Sequence, residues 1–188
     1  DNTDPIERLF IQWGFSQVFP AKTMCAHVTT WNKNSSVKFR TDVAMMCKLG
    51  FDIKLADMSK DDETYCRTAV QNYNRLKPVV LEGDMYRLVS PYGSNHTSTM
   101  YVGKDKDKAA VFAFDIHPRY AEKILPVRLQ GLDADKMYRV KEINLMPGAN
   151  SSLSGNGEVF SGEFLMNVGL NLFTTQQLNS RVIEVVAE

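Results

Sequence analysis

The sequence predicts an α/β segment at the amino terminus followed by an all-β domain. Three observations lead there. From Asp1 to about Gly83, apolar residues at helical spacing alternate with short apolar runs of strand length. From Asp84 onward the pattern changes to β-rich runs separated by turn residues. The whole chain has folded composition, with 44% of its 188 residues hydrophobic and 23% charged, enough for one sizeable core or two small ones.

The first element begins in "DNTDPIERLFIQW". Asp4, followed by Pro5 and three positions on by Glu7, reads as an N-cap, a proline at the first helical position and a reciprocal acidic partner. Ile6, Leu9, Phe10 and Trp13 then form one buried helix face. "AKTMCAHVT" (21–29) is long enough for one buried strand. In "SSVKFRTDVAMMCKLG", Ser35 or Ser36 caps a helix carrying Phe39, Val43, Met46 and Leu49, and Gly50 stops it. "FDIKL" (51–55) is a second strand. Ser59 then caps a helix with acids in its first turn and Tyr65, Ala69, Tyr73 and Leu76 on one side, ended by Pro78 and Gly83. Two strands cannot make a parallel sheet covered on both faces, so these βα units need neighbours that the sequence lacks.

In the second half, "DMYRLVSP", "TSTMYVG", "KAAVFAFDI", "LPVRLQGL", "MYRVKEI" and "RVIEVVA" are the predicted strands. The alternating charges of "GKDKDK" (103–108) read as a solvated hairpin turn. The glycine-rich stretch from Gly148 to Gly157 lacks the strand-to-helix context of a phosphate loop and reads as a mobile connector. An antiparallel β-sandwich of about a hundred residues is expected, dividing the chain into 1–83 and 84–188.

Several functions lose support from composition alone. Lys plus Arg equals Asp plus Glu at 22 each, so no net field favours nucleic acid or an anionic membrane. His27, His96 and His117 are scattered and Cys25, Cys47 and Cys66 lack CxxC spacing, which argues for free buried thiols and against a metal site. Asn34, Asn95 and Asn150 open N-glycosylation patterns, a motif short enough to arise by chance. The abrupt polar start suggests a mature product or an excised piece of something longer. Asp1 lies just outside the first helix. Asp4's ionised form is committed to amides, whereas Asp1 is free for chemistry and is the better candidate acid; a solvated loop aspartate is the competing reading.

The ordered series "DNTDPIERL", "AKTMCAHVT", "FRTDVAMMCKLGFDIKL", "GDMYRLVSP", "LQGLDADKMYRV" and "SGEFLMNVGL" resembles the carboxyl-terminal part of bacterial α-galactosidases of glycoside hydrolase family 36, along essentially the whole chain. The resemblance implies the last βα units of a (β/α)8 barrel followed by an antiparallel β-domain. Such a barrel needs about 250 residues, so the chain looks like a fragment whose partner is the rest of its own barrel. It further implies retaining hydrolysis of terminal α-linked galactose, with Asp1 matching the general acid/base, the nucleophilic aspartate missing from this chain, and neither metal nor organic cofactor required. The expected ligand is a galactose-containing oligosaccharide, without nucleic-acid or membrane partners; a homo-oligomeric full-length enzyme and a cytoplasmic or periplasmic site in a bacterium are compatible with it.

Two further residues are substrate-binding candidates by the resemblance. His27 would approach bound sugar, with a hydrogen-bonded core histidine as the alternative, and Trp31 would stack on sugar, with packing on the β-domain as the alternative. Arg40 fits a family position and is expected in a structural ion pair, with a substrate contact as the alternative. Family members commonly show glycine where this chain has Cys25. The fragment alone is expected to be inactive. Competing functions are a carbohydrate-binding or interaction module with Tyr92, Tyr101 and Tyr120 as platforms, a related galactosyltransferase, and an α-N-acetylgalactosaminidase.

Overall fold

The computed structural model describes residues 4–30 and 34–188. Helix α1 (Pro5–Phe15) starts where Asp4 accepts the amides of Ile6 and Glu7 at 2.9 and 3.0 Å, satisfying two of the first-turn donors that a helix leaves unpaired. Strand β1 (Cys25–Thr29) follows, then helix α2 (Val37–Ala44), capped by the Ser36 hydroxyl on the Phe39 amide at 3.1 Å. Strand β2 (Lys48–Asp52) lies parallel to β1, and helix α3 (Lys60–Glu82) is capped by Ser59.

Two boundaries differ from the sequence expectation. Helix α2 ends at Ala44 and Gly50 sits inside β2, so the strand begins three residues before Phe51. The reason is tertiary. The Tyr101 hydroxyl donates to the Met46 carbonyl at 2.7 Å, and the Tyr73 hydroxyl donates to the Cys47 carbonyl at 2.9 Å while accepting the Leu49 amide. Hydroxyls from distant elements thereby hold a tight turn open to the sheet. Pro78 does not end α3, which runs through it to Glu82. A proline inside a helix costs about 3 kcal/mol, and burial of Val79 and Val80 just beyond it offsets that cost.

The second half forms one six-stranded antiparallel sheet in the order β3-β4-β5-β8-β6-β7, which fits the expected β-sandwich. Its strands are β3 (Asp84–Val89), β4 (His96–Val102), β5 (Lys108–Asp115), β6 (Met137–Ile143), β7 (Val159–Ser161) and β8 (Asn179–Ala187). Strict alternation sends Tyr101, Ala110, Phe112, Phe114 and Val182 into a core shared with the helices, including Phe39 and Leu76. Met100, Val111, Ile183 and Val185 face the other way, against Leu129, Leu132, Leu165 and Leu172.

That covering layer corrects two further expectations. "LPVRLQGL" is not a strand of the sheet; it lies over it, bridged to Leu170 and to the Leu165 carbonyl within the covering layer and touching the sheet through the Gln130 amide on Met100 Sδ at 3.3 Å. The glycine-rich stretch is pinned rather than loose, because Asn156 accepts the Glu142 amide at 2.7 Å, the Gly157 amide meets the Val140 carbonyl at 2.7 Å and Leu153 is buried. A short helix, α4 (Gly162–Asn167), capped by Ser161, was not visible as a separate element in the sequence. Among the described residues no helix is long and apolar enough to cross a membrane.

A third cluster packs Met24, Ala26 and Val28 of the β1 region on Val37, Tyr65 and Ala69, with Cys47 at its edge. All three cysteines are free thiols, but only Cys47 is buried; Cys66 is half-buried and Cys25 exposed. Burial pushes the Cys47 thiol up to about 12 from an ordinary 9.0, against the pull of Arg8. The folded state therefore keeps a proton that the unfolded chain releases near pH 9, so this stabilisation is full below pH 9 and lost as pH rises towards 12. Unfolding free energy is expected to fall by about 1.4 kcal/mol per pH unit across that window from this thiol. Urea titrations of Cys47→Ala should show a shallower decline, and equal slopes would contradict the assignment.

Candidate functional site

The described part of the site is built on the parallel pair β1–β2, whose register sets Cys25 beside Lys48, His27 beside Gly50 and Thr29 beside Asp52. Ala26 and Val28 turn toward the helices and are fully buried, while Cys25 and His27 are exposed on the opposite side. This corrects the reading of His27 as a core histidine. The sheet pair is covered by helices on one face and open on the other. Asp52, exposed at the carboxyl end of β2, belongs to this open face. Its alternation was legible only once the strand began at Lys48, because its partner across the ladder is Thr29.

Gly50 has a specific reason to be glycine. A Cβ there would lie 2.5 Å from His27 Cδ2 and 3.0 Å from Nε2, so any side chain displaces the imidazole. Gly50→Ala and His27→Ala are expected to couple by about 1 kcal/mol in a double-mutant cycle, with the alanine at 50 tolerated better once the ring is gone. Additive urea-unfolding energies would show that the ring does not depend on this gap.

At the carboxyl ends of the two strands a cavity of about 240 Å³ lies between Thr30, Arg40, Ile53, Lys54, Asp57 and Asp62. Arg40 donates through Nη1 to the Thr29 carbonyl and through Nε to the Ser36 carbonyl at 3.4 Å, tying the end of β1 to the start of α2. Its bonds are thus to backbone carbonyls. Burial lowers its pKa from the ordinary 12.5, and the nearby Asp62 carboxylate opposes that shift.

What holds α2 is a buried carboxylate that the sequence did not single out. Asp42, fully buried, receives Lys38 Nζ at 2.6 Å and the Ser180 hydroxyl at 2.7 Å on Oδ2, and Tyr65 OH at 2.9 Å and Asn144 Nδ2 at 3.0 Å on Oδ1. Lys38 also reaches the Ser180 carbonyl at 2.8 Å. Every lone pair of the buried charge has a donor, from α2, α3, β8 and the turn after β6. This side chain is the polar link between the βα units and the sheet, beside the apolar core that they share. An apolar i, i+4 pattern carries no signal for it; the i, i+4 spacing of Lys38 and Asp42 was the available hint.

Asp1 and Trp31 lie outside the described residues. Asp4 is engaged by the α1 amides as expected. Of the proposed aromatic platforms, Tyr101 is buried in the core, whereas Tyr92 and Tyr120 are exposed. No group of three or more His, Cys, Asp or Glu suited to a metal occurs among the described residues.

Residues 1–83 match the family described as Melibiase and residues 96–185 the glycosyl hydrolase family 36 C-terminal domain. Alpha-galactosidase 2 of Hypocrea jecorina is 33% identical over 97% of this chain and 24% of its own length. The GH36 α-galactosidase AgaB of Geobacillus stearothermophilus superposes with a TM-score of 0.86 at 28% identity, covering 100% of this chain and 25% of that one. A variant of AgaA from the same organism, solved in complex with raffinose, matches with a TM-score of 0.86 at 27% identity, over 100% of this chain and 25% of the other. The chain spans about a quarter of the length of the relatives it matches.

Proposed function

Since the chain belongs to glycoside hydrolase family 36, with the end of the Melibiase barrel and the C-terminal β-domain, we propose that it forms part of a retaining α-galactosidase acting on terminal α-linked galactose of oligosaccharides. The barrel portion runs over 1–83 and the β-domain over 84–188. The observation that carries the reading is the one-sided cover of β1–β2: two parallel strands backed by helices, with His27 and Asp52 on the open face and a polar cavity at their carboxyl ends. Barrel enzymes place their chemistry at that end of their strands.

Asp1 is the general acid/base and the nucleophile comes from the upstream part of the parent protein. In the first step the upstream carboxylate attacks the anomeric carbon, the glycosidic C–O bond breaks, and Asp1 delivers its proton to the departing oxygen. In the second step the Asp1 carboxylate takes a proton from water as that water attacks the same carbon and releases the nucleophile. Two inversions leave the α configuration. Asp4 supports this division of labour, because its carboxylate is occupied by the α1 amides. His27 and Trp31 are proposed sugar contacts at the rim.

Time-resolved proton NMR of melibiose hydrolysis by the parent protein should show α-galactose first, with the β anomer appearing only by mutarotation. β-Galactose as the first product would refute the double displacement. The 188 residues on their own are expected to give no turnover, since the nucleophile is not among them.

A further inference from the structure

Where Phe10 of α1 meets the loops of the β-domain lies an open cleft of about 590 Å³ that the catalytic reading does not use. Its walls include Phe10, Tyr92, Asn95, His117, Arg119 and Glu122. Tyr92 is 68% exposed, yet its ring is held by an edge contact to Phe10, with centroids 5.2 Å apart at 78°, and its amide is bound to the Ser90 hydroxyl. An aromatic face that is both bare and fixed in place is a stacking platform rather than a stray side chain.

Opposite groups are equally prearranged. Glu122 accepts the Arg119 amide at 2.9 Å and Asn95 Nδ2 at 3.1 and 3.2 Å, and the preceding Ala121 is held at φ 60, a conformation that alanine adopts only under constraint. The Arg119 amide foremost, then Asn95, keeps the carboxyl below its ordinary range, so it is an ionised acceptor at neutral pH. Behind it His96 is buried. Its Nδ1 is bound to Asp115 at 2.8 Å and its ring stacks on Phe173, while Nε2 has no hydrogen-bond partner and stops 3.8 Å short of Glu122 Oε2. The imidazole thus backs the Glu122 carboxylate from beneath and fixes the wall on which it sits.

We propose that this cleft is a carbohydrate-binding site, taking a hexopyranoside end group with its apolar face on Tyr92 and a pair of neighbouring hydroxyls between Glu122 and Arg119. Carbohydrate is the class that fits: it offers an apolar ring face and paired donors and acceptors, and the cleft balances one carboxylate with one guanidinium, so neither an anion nor a cation is favoured. His117 borders the cleft, its Nδ1 2.9 Å from Gln177 Nε2.

The test is a calorimetric titration of the parent protein with melibiose and raffinose after its nucleophilic carboxylate is replaced, read as a second class of sites beyond the catalytic one. Saturable binding to this second class is expected, weakened at least about fivefold by Tyr92→Ala, as loss of one stacking contact implies, and retained by Tyr92→Trp. Arg119→Ala should also weaken it without disturbing the fold, since Arg119 is exposed. Absence of the second class, or a second class that Tyr92→Ala leaves unchanged, overturns the proposal. Because the readout is a second class of binding sites and not turnover, a null result leaves the hydrolysis experiment untouched.

Discussion

Asp1→Asn in the parent protein is expected to slow hydrolysis of raffinose and melibiose by about 10²- to 10⁴-fold, the usual worth of a positioned general acid. An asparagine amide holds no transferable proton, so a sugar alkoxide, a poor leaving group, cannot depart. An activated aryl galactoside carries a leaving group that departs without protonation. Its first displacement should therefore survive and appear as a burst of phenolate, followed by slow turnover because the second step still needs a base to deprotonate water. Stopped-flow absorbance on the aryl substrate and product assays on the oligosaccharides separate the two. Equal loss on both substrates would remove Asp1 from the proton-transfer role.

The largest expected effect on stability is at Asp42. Removing the charge from a buried, fully hydrogen-bonded ion pair costs about 3–5 kcal/mol, and Asp42→Ala leaves the half-buried Lys38, and with it Tyr65, Asn144 and Ser180, without their common acceptor. Against a domain stability of about 5–15 kcal/mol this is a large fraction. Urea denaturation should show the midpoint falling accordingly, and Lys38→Met in the Asp42→Ala background should recover part of the loss by removing the stranded ammonium. A drop below about 1 kcal/mol, within the range of a surface pair, would mean that the junction between the βα units and the sheet is held elsewhere.

Caps were legible because they are local. Asp4, Ser36 and Ser59 each accept an amide two or three residues away, a relation that spacing alone displays. The strands of the second half were legible where alternation meets a sheet with two covered faces, as in β4, β5 and β8. "LPVRLQGL" misled because a segment lying across a sheet needs apolar residues much as a strand within it does, and only hydrogen-bond partners tell the two apart. The same holds for the glycine-rich stretch, whose composition reads as loose while Asn156 and Gly157 bind β6.

In the candidate site, Asp4's occupation by amides could be read from the chain. The placement of His27 could not. Its exposure depends on β1 having helices on one side only, and its room depends on Gly50 lying across the parallel ladder.

Sequence by itself determined the order of the first three helices and two strands, their starting caps and the change of architecture near residue 83, since these arise from contacts within a few residues. Tertiary structure alone decided where α2 stops, that α3 continues through Pro78, and that Asp42 joins the two halves. Those outcomes depend on the hydroxyls of Tyr73, Tyr101 and Ser180 and on burial beyond the proline, interactions between groups 24 to 138 residues apart or across the packed core. No local pattern encodes a partner at that distance; only the folded chain brings donor and acceptor together.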